Sequence, residues 1–184
     1  DGPDPQTTPQ ILAVLKEKGV RVTFFVLGQN AERHREIVAQ AVADGHEIGN
    51  HSYSHKILNR LTPREYEQDI DKADAIISTV APKPNLFRPP GGGYNDEIVN
   101  AAYRRGYTTI LWSVDSGDWR GLSPAQVVRN VVNGLQRGNI VLMHDGQHPL
   151  STAKALAILI DWLKDNGYAI LTVSEMMQYY EVRR

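Results

Sequence analysis

Residues 21–55 read RVTFFVLGQNAERHREIVAQAVADGHEIGNHSYSH. The apolar, β-branched run Arg21–Leu27 predicts a buried strand, Ala31–Asp44 predicts an amphipathic helix, and Glu47–Gly49 predicts a second strand. A polar cluster, HSYSH, follows the second strand directly. Strands that alternate with helices in this way are typical of a parallel α/β sheet, either open or closed into a barrel.

The same alternation continues along all 184 residues, with no repeat or linker. Further strands are predicted at Leu86–Arg88, Tyr107–Val114, Asn139–Met143 and Tyr168–Val173. Further helices are predicted at Thr8–Lys18, Thr62–Val80, Asp96–Arg105, Ser123–Arg137, Ser151–Asn166 and Ser174–Tyr180. This gives six strands. Because Asp1 precedes a helix, we expect a seventh strand to belong just before residue 1.

The composition excludes several classes of protein. The 20 basic and 21 acidic residues nearly cancel, so no binding to nucleic acid is expected. The absence of cysteine excludes disulfides and thiolate metal ligands. No apolar run approaches the roughly 18 residues of a spanning helix, so we expect no integral membrane segment. The sequence leaves the oligomeric state open.

Five polar clusters together predict a metal-dependent hydrolase. His51 and His55 in HSYSH are four positions apart, a spacing at which two imidazoles can bind one divalent ion. Three of the other clusters also follow predicted strands, and the fourth opens the chain. These four clusters are DGP (residues 1–3), RPPGG (88–92), DSGDW (115–119) and LMHD (142–145). In an α/β barrel the loops after the strands build the active site at one rim.

These clusters, in this order, resemble the motifs of the polysaccharide deacetylase family (NodB homology, carbohydrate esterase family four). The resemblance covers essentially the whole chain and is nearest in character to peptidoglycan N-acetylglucosamine deacetylases. It implies a distorted (β/α)7 barrel whose first strand is incomplete or missing here. Residues 1–184 would be the catalytic domain, truncated at its N-terminus. It also implies one metal ion, zinc or sometimes cobalt, bound by Asp1, His51 and His55.

The resemblance assigns further roles. His144 would be the general acid, Asp118 would tune it, and Arg88 would orient the general base. The residues that would contact substrate are Pro90, Gly91, Trp119 and Leu142. The Gly91 N–H would lie in the oxyanion site, and the side chains of Trp119 and Leu142 would form the walls of the acetyl pocket.

The chain departs from the family motifs in two places. The family's base is the first aspartate of TFDDGP, and this sequence begins at the second, so we expect the base upstream of Asp1. Asp4 precedes a proline and is not assigned that role. At the position of Gly91, relatives often have an aromatic residue whose side chain forms a wall of the substrate cleft. Glycine lacks this wall but keeps the backbone N–H donor.

Three functions are compatible with these motifs. The first is hydrolysis of N-acetyl groups from an amino-sugar polymer, peptidoglycan or chitin, outside the cell or in its envelope. DSGDW and the loop Gly146–Leu150, followed by STAKAL, resemble peptidoglycan N-acetylglucosamine deacetylases more than xylan esterases. The second is a non-catalytic carbohydrate-binding relative that has lost the base, and the third is an O-acetyl xylan esterase.

Other polar residues are interpreted as structural. His34 is assigned to a solvated helix, His46 to the turn and strand before HSYSH, and His148 to loop surface. The carboxylates of the acidic helix are interpreted as a solvated face. They are Glu65, Glu67, Asp69, Asp71 and Asp74.

Overall fold

The structure, a computed structural model, describes residues 1–146 and 151–181, with the side chains of residues 180 and 181 left out. His148 and most of the loop 146–150 therefore lie outside the described residues. The helices are α1 Thr7–Lys18, α2 Gly28–Arg33, α3 Arg35–Ala43, α4 Pro63–Ile77, α5 Asp96–Arg104, α6 Pro124–Gly134, α7 Thr152–Asp165 and α8 Val173–Glu181. Within the described ranges, none of them is long and apolar enough to cross a membrane.

Six short strands form two sheets in the described chain. They are β1 Thr23–Val26, β2 Glu47–Asn50, β3 Leu86–Phe87, β4 Thr108–Thr109, β5 Val114–Asp115 and β6 Val141–Leu142. One sheet has the order β1-β2-β3-β4 and the other pairs β5 with β6. The pairs β2·β3, β3·β4 and β5·β6 are parallel, as the alternation of strands and helices predicts.

The chain divides into two compact units. The first unit comprises residues 1–3, 24–43 and 48–111, and the second comprises residues 4–23, 44–47 and the chain from 112 onward. The first unit therefore contains most of the four-stranded sheet with α2–α5. The second contains β5 and β6 with α1 and α6–α8.

In the first unit, α4 and α5 cover the sheet with their apolar stripes. The fully buried core is Leu58, Tyr66, Ile70, Phe87, Ile98, Ala101, Ala102 and Tyr107. Helix α4 begins with a capping box in which Thr62 and Glu65 exchange hydrogen bonds. Helix α2 comes so close to α4 that a Cβ at Gly28 would lie 2.8 Å from Ala73 Cα. Only glycine allows this approach.

In the second unit, the β5–β6 pair packs against α6 and α7. Its buried core is Val114, Val131, Leu159 and Leu163. Helix α6 begins with a second capping box, formed by Ser123 and Gln126, as the Ser-Pro sequence predicts. The pairing of Val114 with Val141 and of Asp115 with Leu142 places the DSGDW and LMHD segments side by side.

Three predicted elements differ from the structure. The strand predicted at Tyr107–Val114 is interrupted after β4, because the carbonyl groups of Ile110 and Leu111 accept hydrogen bonds from the Arg88 side chain. The helix predicted at Ala31–Asp44 begins at Gly28 and breaks at His34, whose φ of −130° and ψ of 52° are not helical. His34 thus lies between two helices rather than within one.

The strand predicted at Tyr168–Val173 is absent from the described structure. Instead, Thr172 accepts a hydrogen bond from the Glu175 N–H and its own N–H donates to the Glu175 carboxylate. This is a capping box that begins α8 at Val173. The T-x-x-E signal is present in the sequence, but the β-branched composition of the segment obscured it.

Candidate active site

Asp1, His51 and His55 come together in the first unit. Asp1 Oδ1 lies 3.1 Å from His51 Nε2 and 3.3 Å from His55 Nε2. The three potential ligand atoms all lie within 4.8 Å of one another. Donors at zinc–ligand distances of 2.0–2.1 Å in a tetrahedron are separated by about 3.3 Å. The donor set and its spacing therefore fit a divalent ion such as zinc.

Hydrogen bonds to the carbonyl groups of Asp1 and Gly2 hold Asp1 in place. Its carbonyl oxygen accepts a bond from Asn30 Nδ2 at 2.8 Å, and the next carbonyl, Gly2 O, accepts one from Leu27 N at 3.0 Å. Asn30 is a buried residue of α2. The sequence analysis missed it, since an Asn in a polar helix gives no indication of such a contact.

The backbone of Arg88 orients the imidazole of His51. His51 Nδ1–H donates to Arg88 O at 2.6 Å, which leaves the Nε2 lone pair directed at Asp1. Burial lowers the pKa of His51 well below its ordinary value of 6.5, so the ring stays neutral. A neutral imidazole whose second nitrogen is hydrogen-bonded is the usual form of a metal-binding histidine.

Residues 51–55, the metal loop, have an unusual backbone. Ser52 and His55 are non-glycine residues with φ angles of 68° and 59°. Each such residue costs about 1–3 kcal/mol and persists only where the surroundings enforce it. Here the Ser52 N–H donates to Asn50 Oδ1, and the N–H groups of Tyr53 and Ser54 donate to Asp69 Oδ2 at 3.1 and 3.2 Å.

The interpretation of the α4 carboxylates as a solvated face is therefore wrong for two of the five. Asp69 binds the metal loop, and Asp74 accepts a hydrogen bond from the Tyr107 hydroxyl. The exposed Glu65 and Asp71 fit that interpretation: Glu65 caps its own helix, and Asp71 forms an ion pair with Arg105.

Arg88 is buried at the end of β3. Its guanidinium donates to Ile110 O and Leu111 O and lies 4.1 Å from the centre of the Phe25 ring. Burial lowers the pKa of Arg88 to about 10, so the group remains a cation at neutral pH. These contacts fix its position beside His51, while its role in orienting a base stays a prediction.

The RPPGG segment turns sharply after Arg88. Pro90 is buried, and the exposed Gly91 has a left-handed φ of 60°. A Cβ on Gly91 would lie 2.9 Å from the Ile57 side chain, so a larger residue would require Ile57 to move. The contacts of Pro90 and the Gly91 N–H with substrate stay predictions.

The second unit contains a histidine supported by a buried carboxylate. His144 Nδ1 lies 2.8 Å from Asp118 Oδ1, and the His144 backbone N–H donates to Asp118 Oδ2 at 2.7 Å. The Thr152 hydroxyl, at the start of α7, donates to the same Oδ2 at 2.7 Å. This contact of Thr152 was not predicted. With Nδ1 bonded to Asp118, Nε2 is the other ring nitrogen of His144, and its role in proton transfer stays a prediction.

The hydrogen bonds to Asp118 keep it ionised. Burial alone would raise the pKa of this fully buried carboxyl, but the bonds from His144 and Thr152 lower it below its ordinary value of 3.8. Because the pKa of Asp118 is lower in the folded chain, its carboxylate stabilises the fold at pH values above the ordinary pKa of 3.8. The contribution is lost as the pH falls through the folded pKa.

The remaining predicted residues lie in or beside the β5–β6 pair. Leu142 is buried in β6, and Trp119, 52% exposed, follows β5 with the Arg120 guanidinium 4.7 Å from its ring. Apart from this pair, Asp4 precedes α1, and its carboxylate accepts hydrogen bonds from the N–H groups of Gln6 and Thr7. This structural use agrees with leaving Asp4 out of the catalytic set.

His46 has the supporting role predicted for it. The ring is buried, and its Nδ1 accepts a hydrogen bond from the Val22 N–H at 3.2 Å. Burial also lowers the pKa of His46, which favours the neutral ring that can accept this bond. The residue therefore belongs to the framework rather than to the ligand cluster.

Comparisons with known proteins agree with this geometry. A peptidoglycan-N-acetylglucosamine deacetylase from Bacillus cereus is 40% identical, over 97% of this chain and 85% of the relative. The solved structure of the peptidoglycan deacetylase PdaC from Bacillus subtilis matches with a TM-score of 0.91 and 36% identity, over 100% of this chain and 89% of that one. A CE4 family pseudoenzyme from Bacillus anthracis matches with a TM-score of 0.88 and 32% identity, over 93% and 60%.

The predicted α/β fold of the NodB type is thus confirmed. The family model for polysaccharide deacetylases matches residues 1–110, more than half of the sequence. That segment includes all three candidate metal ligands and Arg88. The chain belongs to the polysaccharide deacetylase family.

Proposed function

We propose that this protein is a zinc-dependent deacetylase that hydrolyses N-acetyl groups on the amino sugars of peptidoglycan in the cell envelope. The observation that supports it best is the Asp1–His51–His55 cluster, whose donor spacing suits a tetrahedral ion. Two relatives named for peptidoglycan deacetylation are 40% and 36% identical to this chain, against 33% for a relative named chitooligosaccharide deacetylase, which favours peptidoglycan over chitin.

Each polar group has a definable task in amide hydrolysis. Asp1, His51 and His55 would hold the ion and leave a fourth coordination position open. When bound, such an ion polarises the acetyl carbonyl and lowers the pKa of a coordinated water. The Gly91 N–H would donate to the developing oxyanion. Arg88 is proposed to orient the general base.

His144 would act as the general acid. Its Nε2 atom would protonate the leaving amine, while Asp118 keeps Nδ1 occupied and holds the ring in place. Trp119 and Leu142 would form the apolar wall of the acetyl pocket. An amine is a poor leaving group without a proton, so this step is needed for an amide more than for an ester.

One observation favours a second candidate. A relative of similar fold is a CE4 family pseudoenzyme, and a mutant of it is described as having restored enzymatic activity. A non-catalytic protein that binds the polymer and keeps the metal ligands is therefore a real alternative. The two candidates differ in whether acetate is released.

Acetate release separates these functions. The complete natural protein, loaded with zinc, is to be incubated with peptidoglycan, chitooligosaccharides and acetylxylan in parallel. We expect fastest release from peptidoglycan and loss of release after chelation, with recovery when zinc is added back. Binding of peptidoglycan without any acetate release would contradict the proposal and support the pseudoenzyme. Fastest release from acetylxylan would point to an O-acetyl esterase.

Asp118→Asn tests the support of the acid. The substitution preserves size but replaces one carboxylate oxygen with an NH2 group, which cannot accept both hydrogen bonds that hold the ring and backbone of His144. We therefore expect a lower kcat, because the imidazole loses a contact that fixes its orientation. The measurement is kcat for acetate release, with Asp115→Asn as the control. A kcat equal to that of the Asp115→Asn variant would mean that Asp118 does not act on His144.

A further inference from the structure

We infer that Asp69, on α4, is a positioning residue that holds the metal loop in its metal-binding conformation. This inference rests on the metal site proposed above. Asp69 Oδ2 accepts hydrogen bonds from two consecutive backbone N–H groups of the loop, those of Tyr53 and Ser54. A carboxylate that accepts backbone N–H bonds forms stronger bonds than a neutral acceptor.

The two bonds lie where the loop needs support. Tyr53 and Ser54 are flanked by Ser52 and His55, the two non-glycine residues with left-handed backbone angles. The His55 N–H also donates to Ser52 Oγ at 3.2 Å, so the tight turn closes on itself. Because the side chain of His55 is 37% exposed, packing alone does not fix it, and its place beside Asp1 depends on the backbone of this turn.

The opposite edge of the loop is bound by α2. Gly28 N donates to Ser52 O at 2.9 Å, and Gln29 N donates to Tyr53 O at 3.2 Å. Helices α2 and α4 are in close contact at Gly28 and Ala73. The loop is thus held on one side through its carbonyl groups and on the other through its N–H groups. Asp69 is the side-chain acceptor for two of these N–H groups, while Asn50 accepts from Ser52 and the Ser52 hydroxyl accepts from His55.

A longer chain of hydrogen bonds connects α4 to the loop at a second point. Asp74 accepts from the Tyr107 hydroxyl, which accepts from Asn50 Nδ2, and Asn50 Oδ1 accepts from Ser52 N. Asn50 is completely buried at the end of β2. The two contacts involve Asp69 and Asp74, which are five residues apart on the same helix, so α4 supports the loop at two points.

The test compares two carboxylates of α4. Asp69→Ala removes the loop acceptor, whereas Asp71→Ala removes an exposed carboxylate that pairs with Arg105. Zinc affinity is measured by competition with a chromophoric chelator. We expect Asp69→Ala to raise the Kd for zinc by about 10–100-fold, the usual effect of losing a residue that orients metal ligands. Asp71→Ala should leave the Kd within about twofold.

A second measurement needs no metal. In the metal-free protein, the Tyr53 and Ser54 amides should exchange with deuterium faster in Asp69→Ala than in Asp71→Ala. If Asp69→Ala does not fold, Asp69→Asn and Asp71→Asn give the same comparison. Asn keeps an acceptor oxygen without the charge, so a smaller weakening in the same direction is expected.

The outcomes distinguish this inference from the proposed function. Equal zinc affinity and equal amide exchange in the Asp69 and Asp71 variants would overturn the role of Asp69 while leaving the metal site intact. If His55→Ala binds zinc as tightly as the unaltered protein, the metal site itself is wrong, and the inference fails with it.

Discussion

Replacing His144 with alanine is expected to lower the turnover number for deacetylation by about 100- to 10,000-fold, the range for a lost general acid. The histidine follows β6, and its ring and backbone are both bound by the buried Asp118, so the imidazole is held in one orientation. Without it, the amine would have to leave unprotonated or take a proton from water. The measurement is acetate release by the complete natural protein at saturating substrate.

The control for this substitution is metal content. Because the candidate ligands are Asp1, His51 and His55, zinc bound per chain should be unchanged in His144→Ala. KM should change little, since the group acts after substrate has bound. A variant that loses zinc would show that His144 is a ligand, and one that keeps normal turnover would exclude it as the acid.

His51→Ala is expected to reduce zinc affinity by more than about 100-fold. This loss is larger than the one expected for a residue that only orients a ligand. Deacetylation should fall to background with it. The substitution removes a neutral donor and leaves Asp1 and His55 as the remaining candidate ligands. Zinc content after dialysis against a weak chelator measures the effect directly.

His34→Ala is the matched control for His51→Ala. This half-exposed histidine lies between α2 and α3, and its Nδ1 is 3.8 Å from Glu36 Oε1. It is not one of the candidate metal ligands. Its replacement should alter neither zinc content nor turnover. If both variants retain zinc equally, the assignment of His51 as a ligand is refuted.

The resemblance of the polar clusters to the family motifs predicted that Asp1, His51 and His55 lie together, and the structure brings their potential ligand atoms within 4.8 Å of one another. Their binding of a metal stays a prediction. The contact between His144 and Asp118 that the same resemblance implies is also present, and both residues follow strands that pair. Such predictions succeed where the distance between residues follows from which strands are neighbours.

Supporting contacts were harder to predict because they depend on how helices pack. Asp69 and Asp74 were not distinguished from the three other carboxylates of α4. A signal was available: both lie beside the apolar stripe formed by Tyr66, Ile70 and Ala73, which faces the core. By contrast, no local pattern indicates that Asn30 binds the carbonyl group of Asp1.

The strand boundaries show a similar limit. Tyr107–Val114 has the composition of one long strand, but the buried Arg88 side chain takes two of its carbonyl groups as acceptors. A residue distant in sequence thus decides where the ladder stops. Strand propensity alone cannot predict this boundary, because it reflects residues near in sequence and not side chains that contact the strand from elsewhere in the fold.

The carboxylate of Asp118 binds both His144 and Thr152, and these two residues enclose a stretch of seven residues. The ends of that stretch are therefore fixed by one buried group, whatever lies between them. Lengthening such a closed segment costs only about 0.6 kcal/mol per doubling. An insertion between residues 144 and 152 is therefore expected to leave the imidazole of His144 in place, because Asp118 holds it directly.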